Sequence, residues 1–411
     1  MISELDRDFS VELSVVMPCL NEAETLAACI RQIKRTFEAN HIPGEVIIAD
    51  NGSTDGSVEI AVREGARVVP VSQRGYGSAI DGGVKSALGE YIIMGDADSS
   101  YNFEEIPVLL TQLRKGYELV MGNRFKGGVK KGAMPFLHRY LGNPVLSFFG
   151  RLFYNIPIGD FHCGLRGFNR KAYLTWGLKT TGMEFASEMV VKAALKKAHI
   201  AEVPVTLSPD GRSRPPHLRT WQDGWRHLQF LLIHSPRWLF AIPGFSLFVF
   251  GLILMVLVLP SPIQIGRFGL DVHTLLLGMT MVVAGFQALS LGIVSRIYAI
   301  KLGTKQPNNW TNFFTNGRII NTMIFLGAGL VLLGSFGFVY SFIRWEKQSF
   351  GGLDPSRMIR VLVPFMLSFL MGFQLIIVSF FISLVNLERI NLVQQIVTPE
   401  ANSSAESTVY S

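Results

Sequence analysis

The stretch Gly89 to Met94 reads as a strand, and it ends in Gly95 and then in two aspartates, Asp96 and Asp98, set one residue apart. Two carboxylates alternating on extended chain can reach one divalent cation, directly or through water, and hard oxygen donors suit Mg2+ or Mn2+. Such a pair is also what an ordinary acidic turn looks like. Its weight rises because other apolar runs end in polar groups: Asn21 and Glu22, then Asp50, Ser53 and Asp55, then Arg124. An open carboxylate site of this kind is completed naturally by diphosphate oxygens.

These residues need a scaffold that brings them together. LSVVMP, EVIIAD, ARVVPVS, YIIMGDAD and YELVMGNR read as strands, and NEAETLAACIRQIKRTFEAN, YGSAIDGGVKSAL and YNFEEIPVLLTQLRKG as amphipathic helices. Alternating strand and helix with continuously apolar strands predicts an α/β domain with a mainly parallel sheet covered on both faces. Ligands of such sheets bind beyond the carboxyl ends of the strands, so the polar residues above are expected on one edge.

The second half of the chain is different. Of 411 residues 49% are hydrophobic and only 17% charged, and the apolar excess lies in 238–387. Four segments near Trp238–Leu259, Val272–Ser295, Ile319–Ile343 and Val361–Leu387 each reach the roughly 20 apolar residues a bilayer requires. None carries a charge near its middle, Gln287 and Gln374 being the main polar exceptions, which suits anchoring better than transport. The expected division is 1–210 as the α/β domain, 211–237 as a juxtamembrane amphipathic segment, 238–390 as an all-α transmembrane domain of four helices, and 391–411 as a polar tail.

The N-terminus lacks a basic start followed by an apolar core, so no cleaved signal peptide is expected. Lys301, Lys305 and Arg318 after the second span, with the arginines before the first, argue for a cytoplasmic N-terminal domain; Arg344, Lys347, Arg357 and Arg360 argue against it. In a bacterium the membrane would be the plasma (inner) membrane. The formal net charge is +7. Nucleic acid is one reading of a basic chain, but Arg212, Arg214, Arg219, Arg226 and Arg237 cluster just before the apolar half, which favours a membrane surface or a lipid phosphate. Trp221, Trp225 and Trp238 alternate with these arginines as suits a headgroup layer. The segment 135–157, punctuated by Arg139 and Arg151, reads equally as a core helix or as an interfacial one. Cys19, Cys29 and Cys163 lack metal-ligand spacing and suggest reduced thiols.

As an ordered set, VVMPCLNE (15–22), IIADNGSTDGS (47–57), RGYGSA (74–79), GEYIIMGDAD (89–98) and MGNRF (121–125) resemble the family 2 glycosyltransferases of GT-A fold. DFHCGLRGFNRKAY (160–173), GMEFASE (182–188) and EVPV (202–205) look like their polyprenyl-phosphate branch, which includes dolichol-phosphate mannose synthase and undecaprenyl-phosphate sugar transferases. The resemblance implies that Pro18, Asn21, Glu22, Asp50, Ser53, Asp55, Gly75, Asp96 and Ala97 surround the nucleotide sugar. It also implies that Asp96 and Asp98 hold the metal, that Arg124 and Arg139 meet an acceptor phosphate, and that Asp98, Asp160 and Arg124 are the catalytic group, with Asp160 and Glu188 facing the sugar or acceptor region. Arg212 and Arg214, in the basic cluster before the first span, lie where a lipid phosphate would be met. The chain departs from the family with Asn51 in place of the second aspartate of DDGS, with Ser100 where a further ligand often stands, and with Asp210 before Gly211.

The implied reaction fits the residue types. A nucleotide diphosphate leaves with growing negative charge, which a divalent metal and arginines stabilise. A polyprenyl phosphate is already an anion and attacks the anomeric carbon without a strong general base, with inversion expected from in-line attack. Two other readings compete: a processive polysaccharide synthase, for which HSPRW (234–238) imitates an acceptor motif with His234 in place of Gln, and a catalytically inactive membrane scaffold. A homo-oligomer is compatible with relatives that carry membrane tails.

Overall fold

The computed structural model describes residues 11–213, 220–301, 307–352 and 354–397. These divide between Ser235 and Pro236 into two compact units.

In the first unit the chain runs β1 (Leu13–Cys19), α1 (Leu26–Ala39), β2 (Gly44–Asp50), α2 (Ser57–Arg63), β3 (Arg67–Pro70), α3 (Tyr76–Ser86), β4 (Tyr91–Met94), α4 (Ile106–Arg114) and β5 (Leu119–Asn123). The single turn α5 (Arg124–Gly127) and α6 (Asn143–Tyr154) follow, then β6 (Arg166–Asn169), α7 (Arg170–Trp176), α8 (Phe185–Leu195), β7 (Ile200–Pro204) and α9 (Thr220–Ile233). The seven strands stand in the order β3-β2-β1-β4-β6-β5-β7, and only β6 runs antiparallel to its neighbours. The mainly parallel sheet expected from the alternation is therefore present. β6 is too short, and its RGFN too irregular in polarity, to have signalled a strand.

Side-chain alternation divides the core. Leu13, Val15 and Met17 of β1 pack on one face with Leu26, Ile30 and Ile33 of α1. Val16 faces the other side with Ile80 and Val84 of α3 and Met189 of α8. The spacing of Leu26, Ile30, Ile33 and Phe37 is that of one helical stripe, which is why α1 lies along the sheet.

The segment 135–157 forms a π-helical turn, His138–Gly142, followed by α6. One side of α6 packs on α9: Leu146, Phe149 and Phe153 meet Phe230 and Leu231, and Tyr154 donates to the Leu231 carbonyl at 2.8 Å. The other side leaves Phe148 exposed, as the stretch before α6 leaves Phe136, Tyr140 and Leu141 and as α9 leaves Trp221 and Trp225. The segment is thus not a core helix. His234 stacks on Phe230 at 4.0 Å between ring centres and bonds the Phe230 carbonyl, so the residue that replaced Gln in HSPRW is committed to packing against the end of α9.

The second unit carries α10 (Ile242–Val258), a hairpin of β8 (Ile263–Ile265) and β9 (Phe268–Leu270), α11 (Val272–Lys301), the short α12 (Asn309–Phe314), α13 (Gly317–Glu346) and α14 (Pro355–Val397). Among the described residues four helices are long and apolar enough to cross a membrane: Arg237–Val258, Val272–Lys301, Gly317–Glu346 and Pro355–Asn386. They cover the four expected segments. Without a hydrophobic drive between helices in lipid, close approach depends on small residues. Here α10 and α11 meet at Gly244 with Gly285 and at Gly251 with Gly278, and α13 and α14 meet at Gly327 with Gly372. Arg360 donates to the Val258 and Leu259 carbonyls that end α10 and pairs with Asp271, and Arg357 pairs with Asp354.

A Cβ at Gly285 would lie 2.5 Å from the Phe248 nitrogen, whereas one at Gly329 would meet nothing within 4 Å. Gly285→Leu is therefore expected to lower stability by about 1–3 kcal/mol through overpacking and Gly329→Leu to leave it nearly unchanged. Thermal unfolding of the two variants in detergent checks this.

Candidate active site

The loops at the carboxyl ends of β1 and β2 are stitched to each other. Asn21, in the left-handed region at φ 60°, donates its N–H to Ser53 Oγ at 2.9 Å and accepts from the Thr54 N–H at 2.8 Å. The Glu22 N–H reaches Ser57 Oγ, and the Ala23 N–H reaches Asp55 Oδ2. Burial opposes ionisation of Asp55, but bonds from Ser57 and Ala23 outweigh it and hold its carboxyl below the usual range. Asp50 accepts from Gly52 and Ser53, closing its own turn. Pro18 and Asp50 sit at the sheet edge, Pro18 opposite Ala49. Asn21, Ser53 and Asp55, expected near the nucleotide, are thus occupied in shaping the loop.

Asn51 accounts for its own departure from the family. Its amide donates to the Val71 and Gln73 carbonyls and accepts from the Gly75 N–H. A carboxylate could do only the last of these. Gly75, at φ +132°, is needed because a Cβ there would stand 2.2 Å from the Thr181 carbonyl oxygen. Its close approach is to the chain's own backbone. The Thr181 loop is in turn clamped by Glu188, which accepts from the Lys179 and Thr180 N–H groups and pairs with Lys192. Glu188 is therefore a buried loop anchor and does not face an open region.

The two aspartates lie just past β4. Asp96 accepts from the Tyr76 hydroxyl at 3.1 Å. Asp98 takes the Ser100 N–H and hydroxyl on Oδ1, at 3.0 and 2.5 Å, and Arg212 on Oδ2 at 2.6 Å. Between them Ala97 is buried, its carbonyl fixed by Thr25 Oγ1 at 2.6 Å, and Ser99 is left-handed at φ 63°. Ser100 orients Asp98 in the position where relatives often place another ligand. Gly164 closes the other side: a Cβ there would lie 2.6 Å from Asp96 Oδ2, and its N–H is held by Tyr101 at 2.7 Å. Burial and the neighbouring charge of Asp98 push the Asp96 carboxyl up to about 7. Two oxygen donors that resist simultaneous ionisation are a set a hard divalent cation would stabilise. Among the described residues no group of three His, Cys, Asp or Glu side chains forms a complete metal cage, so further ligands would come from substrate or water.

Arg124 and Asp160, both expected in the catalytic group, with Arg124 at the acceptor phosphate and Asp160 facing the sugar or acceptor region, are closed on each other. The guanidinium makes two bonds at 2.7 and 2.8 Å, the Arg124 N–H adds a third, and Asp160 is wholly buried. Glu202 accepts from the Gly159 and Asp160 N–H groups and pairs with Lys126, fixing the same turn. Arg139 is partly exposed on the π turn, over Tyr140 at 5.5 Å. Beside it His138 has its imidazole held below its usual range by burial and by Arg124. Arg214 and Arg219 lie outside the described residues, as does His217. His162 and His227 both bond Ser187, at 3.1 and 2.9 Å, tying α9 to α8. Burial pushes the Cys19 and Cys163 thiols up to about 11 and about 12, which leaves no thiolate chemistry here. Tyr76, Tyr101, Thr25 and Glu202 were not singled out from the sequence. Tyr76 lay inside the RGYGSA motif and Glu202 inside EVPV, but Tyr101 and Thr25 stand at positions without a local pattern.

The Glycosyl transferase family 2 pattern matches residues 14–176, and the Glycosyltransferase family 2 C-terminal transmembrane region matches 293–386. The chain is 38% identical to the low-salt glycan biosynthesis hexosyltransferase Agl6 of Haloferax volcanii over 86% of this chain and 84% of that one. It is 30% identical to a dolichyl-phosphate hexose transferase of the same organism over 47% of this chain and 82% of that one. Among solved structures, glucosyl-3-phosphoglycerate synthase from Mycobacterium tuberculosis with Mn2+ and UDP-glucose is 22% identical, covering 55% of this chain and 79% of that one, with a TM-score of 0.44.

Two predictions follow from the buried charges. From the ordinary carboxylate range up to about 7 the folded chain keeps a proton on Asp96 that the unfolded chain has lost, so stability falls as pH rises through that window and levels above it. Asp96→Asn is expected to flatten that part of the curve in urea unfolding followed against pH. Asp160→Asn removes one partner of a buried ion pair and is expected to destabilise by about 3–5 kcal/mol, read as a shift of the unfolding midpoint.

Proposed function

The chain belongs to glycosyl transferase family 2, and we propose that it moves a hexose from a UDP- or GDP-sugar to a polyprenyl phosphate, giving a polyprenyl-phosphate monosaccharide. The observation that carries the reading is that the unit bearing the two aspartates also bears an exposed apolar face: Phe136, Tyr140, Leu141 and Phe148 beside Trp221 and Trp225. Aromatic and aliphatic groups set beside Arg139 and Arg151 suit a headgroup layer. An enzyme of soluble acceptors has no need of such a face on its catalytic unit. The names of the Haloferax volcanii relatives, a hexosyltransferase and a dolichyl-phosphate hexose transferase, support the same substrate class.

In this reading Glu22, Asp50 and Pro18 border the base and ribose, and Asp96 and Asp98 hold Mg2+ or Mn2+ on the diphosphate. The bound metal supplies Lewis-acid stabilisation of the leaving diphosphate. Tyr76 donates to Asp96, Ser100 fixes one oxygen of Asp98, and Gly164, lacking a Cβ, leaves room for the Asp96 carboxylate. The acceptor phosphate oxygen forms the new bond to the anomeric carbon as the bond to the diphosphate breaks. Arg139 on the π turn receives that phosphate from the membrane side. Arg124 acts from behind by fixing, with Asp160, the turn that leads to Gly164.

We place the catalytic unit in the cytoplasm. The cations on its side of the spans, Arg219, Arg226, Arg237, Lys301, Lys305 and Arg318, outnumber Arg267, Arg344, Lys347, Arg357 and Arg360 in the other connections.

Purified full-length protein with Mn2+, polyprenyl phosphate and a panel of UDP- and GDP-hexoses is expected to give one lipid-phosphate monosaccharide by mass spectrometry. Asp98→Ala should lower its formation by at least about a hundredfold, as loss of a principal charge-stabilising group does. Long polymers in place of a monosaccharide would point to a synthase.

A further inference from the structure

We propose that Arg212 is an internal cation that competes with the divalent metal for Asp98, held in place by the Ser208–Ser213 segment and expelled when metal enters. The proposal rests on the reading of Asp96 and Asp98 as metal ligands and adds a role for a residue otherwise expected only at the acceptor phosphate.

The geometry is specific. Asp98 Oδ1 is committed to Ser100, so Oδ2 is the oxygen most available to a cation, and Arg212 Nη2 stands on it at 2.6 Å. Nη1 of the same guanidinium reaches Glu22 Oε1 at 3.1 Å, and Asp210 lies at 3.4 Å. The side chain is only 13% exposed, and its Nε is buried with no hydrogen-bond partner among the described residues. It is carried by a strap with its own fastenings: Ser208 N–H to the Ser100 carbonyl at 2.8 Å, Gly211 N–H to the Asp98 carbonyl at 2.9 Å, and Ser213 N–H and Oγ to Glu24 at 2.7 and 2.5 Å.

A guanidinium and a divalent ion sharing one carboxylate oxygen repel strongly in a buried site, so the two occupancies exclude each other. Metal entry therefore frees Arg212. The freed group keeps the planar fork that grips a phosphate by two bonds. The metal-bound diphosphate thus comes first, and the arginine becomes available to an anionic acceptor second. Apparent metal affinity is lowered by the share of molecules whose strap is fastened.

The test uses full-length protein in detergent with Mn2+ alone, free Mn2+ being read by electron paramagnetic resonance. Arg212→Ala is expected to bind Mn2+ about tenfold more tightly. Glu24→Ala, which loosens the strap at Ser213, should also bind more tightly, although loss of a negative charge would by itself weaken cation binding. Adding Mn2+ should speed tryptic cleavage after Arg212 in the wild type and leave it unchanged in Asp98→Ala. Mn2+ binding that needs Asp98 but is unchanged or weakened in Glu24→Ala, or cleavage indifferent to Mn2+, overturns the competition while leaving the metal site standing. Binding that is the same with and without Asp98, or absent throughout, overturns the metal reading and the competition together.

Discussion

Two carboxylates one residue apart at the end of a buried strand set the terms for the rest of the catalytic unit. In a low-dielectric edge they cannot both be charged without help, and the surrounding groups each supply some. Tyr76 donates to Asp96, Ser100 donates twice to Asp98, and Arg212 adds a full charge. The groups that hold these helpers form a second ring: Thr25 on Ala97, Tyr101 on Gly164, and Glu24 on the strap. The edge is thus an anionic site whose shape is fixed mainly by backbone bonds and whose charge is left for a cation to settle.

A second theme is how many motif residues serve the loop and not the ligand. Asn21, Ser53 and Asp55 knit two strand ends together, Asn51 fastens the turn before α3, and Glu188 fastens the loop that presses on Gly75. Arg124 and Asp160 satisfy one another in the interior. Their contribution to transfer is positional: they set where the backbone stands when phosphates arrive.

Much of this was legible beforehand. Continuous apolar strands separated by amphipathic helices gave the parallel sheet, the rule for its carboxyl edge gave the place where Asp50, Asp96 and Asp98 gather, and hydropathy gave the four long helices. What stayed hidden was of two kinds. β6, with a glycine and a fully buried arginine in four residues, has no period to read, and its antiparallel direction is settled only by its neighbours β4 and β5. The pairing of charges was equally hidden, because Arg212 and Asp98 are separated by 114 positions and nothing local in either stretch names the other. The segment 135–157 could not be assigned from its pattern because a core helix and an interfacial helix share the same stripe. The answer lay in which faces α9 leaves uncovered.

The glycine contacts of the second unit bear on how the protein is made. Each close crossing joins partners that follow each other in the chain, Gly244 and Gly251 with Gly285 and Gly278, then Gly327 with Gly372. Each hairpin can therefore zip up as soon as its second helix has left the insertion machinery, without waiting for the rest. Neither pair needs another helix to make its glycine contact, and α11 meets α14 as a contact between the two pairs.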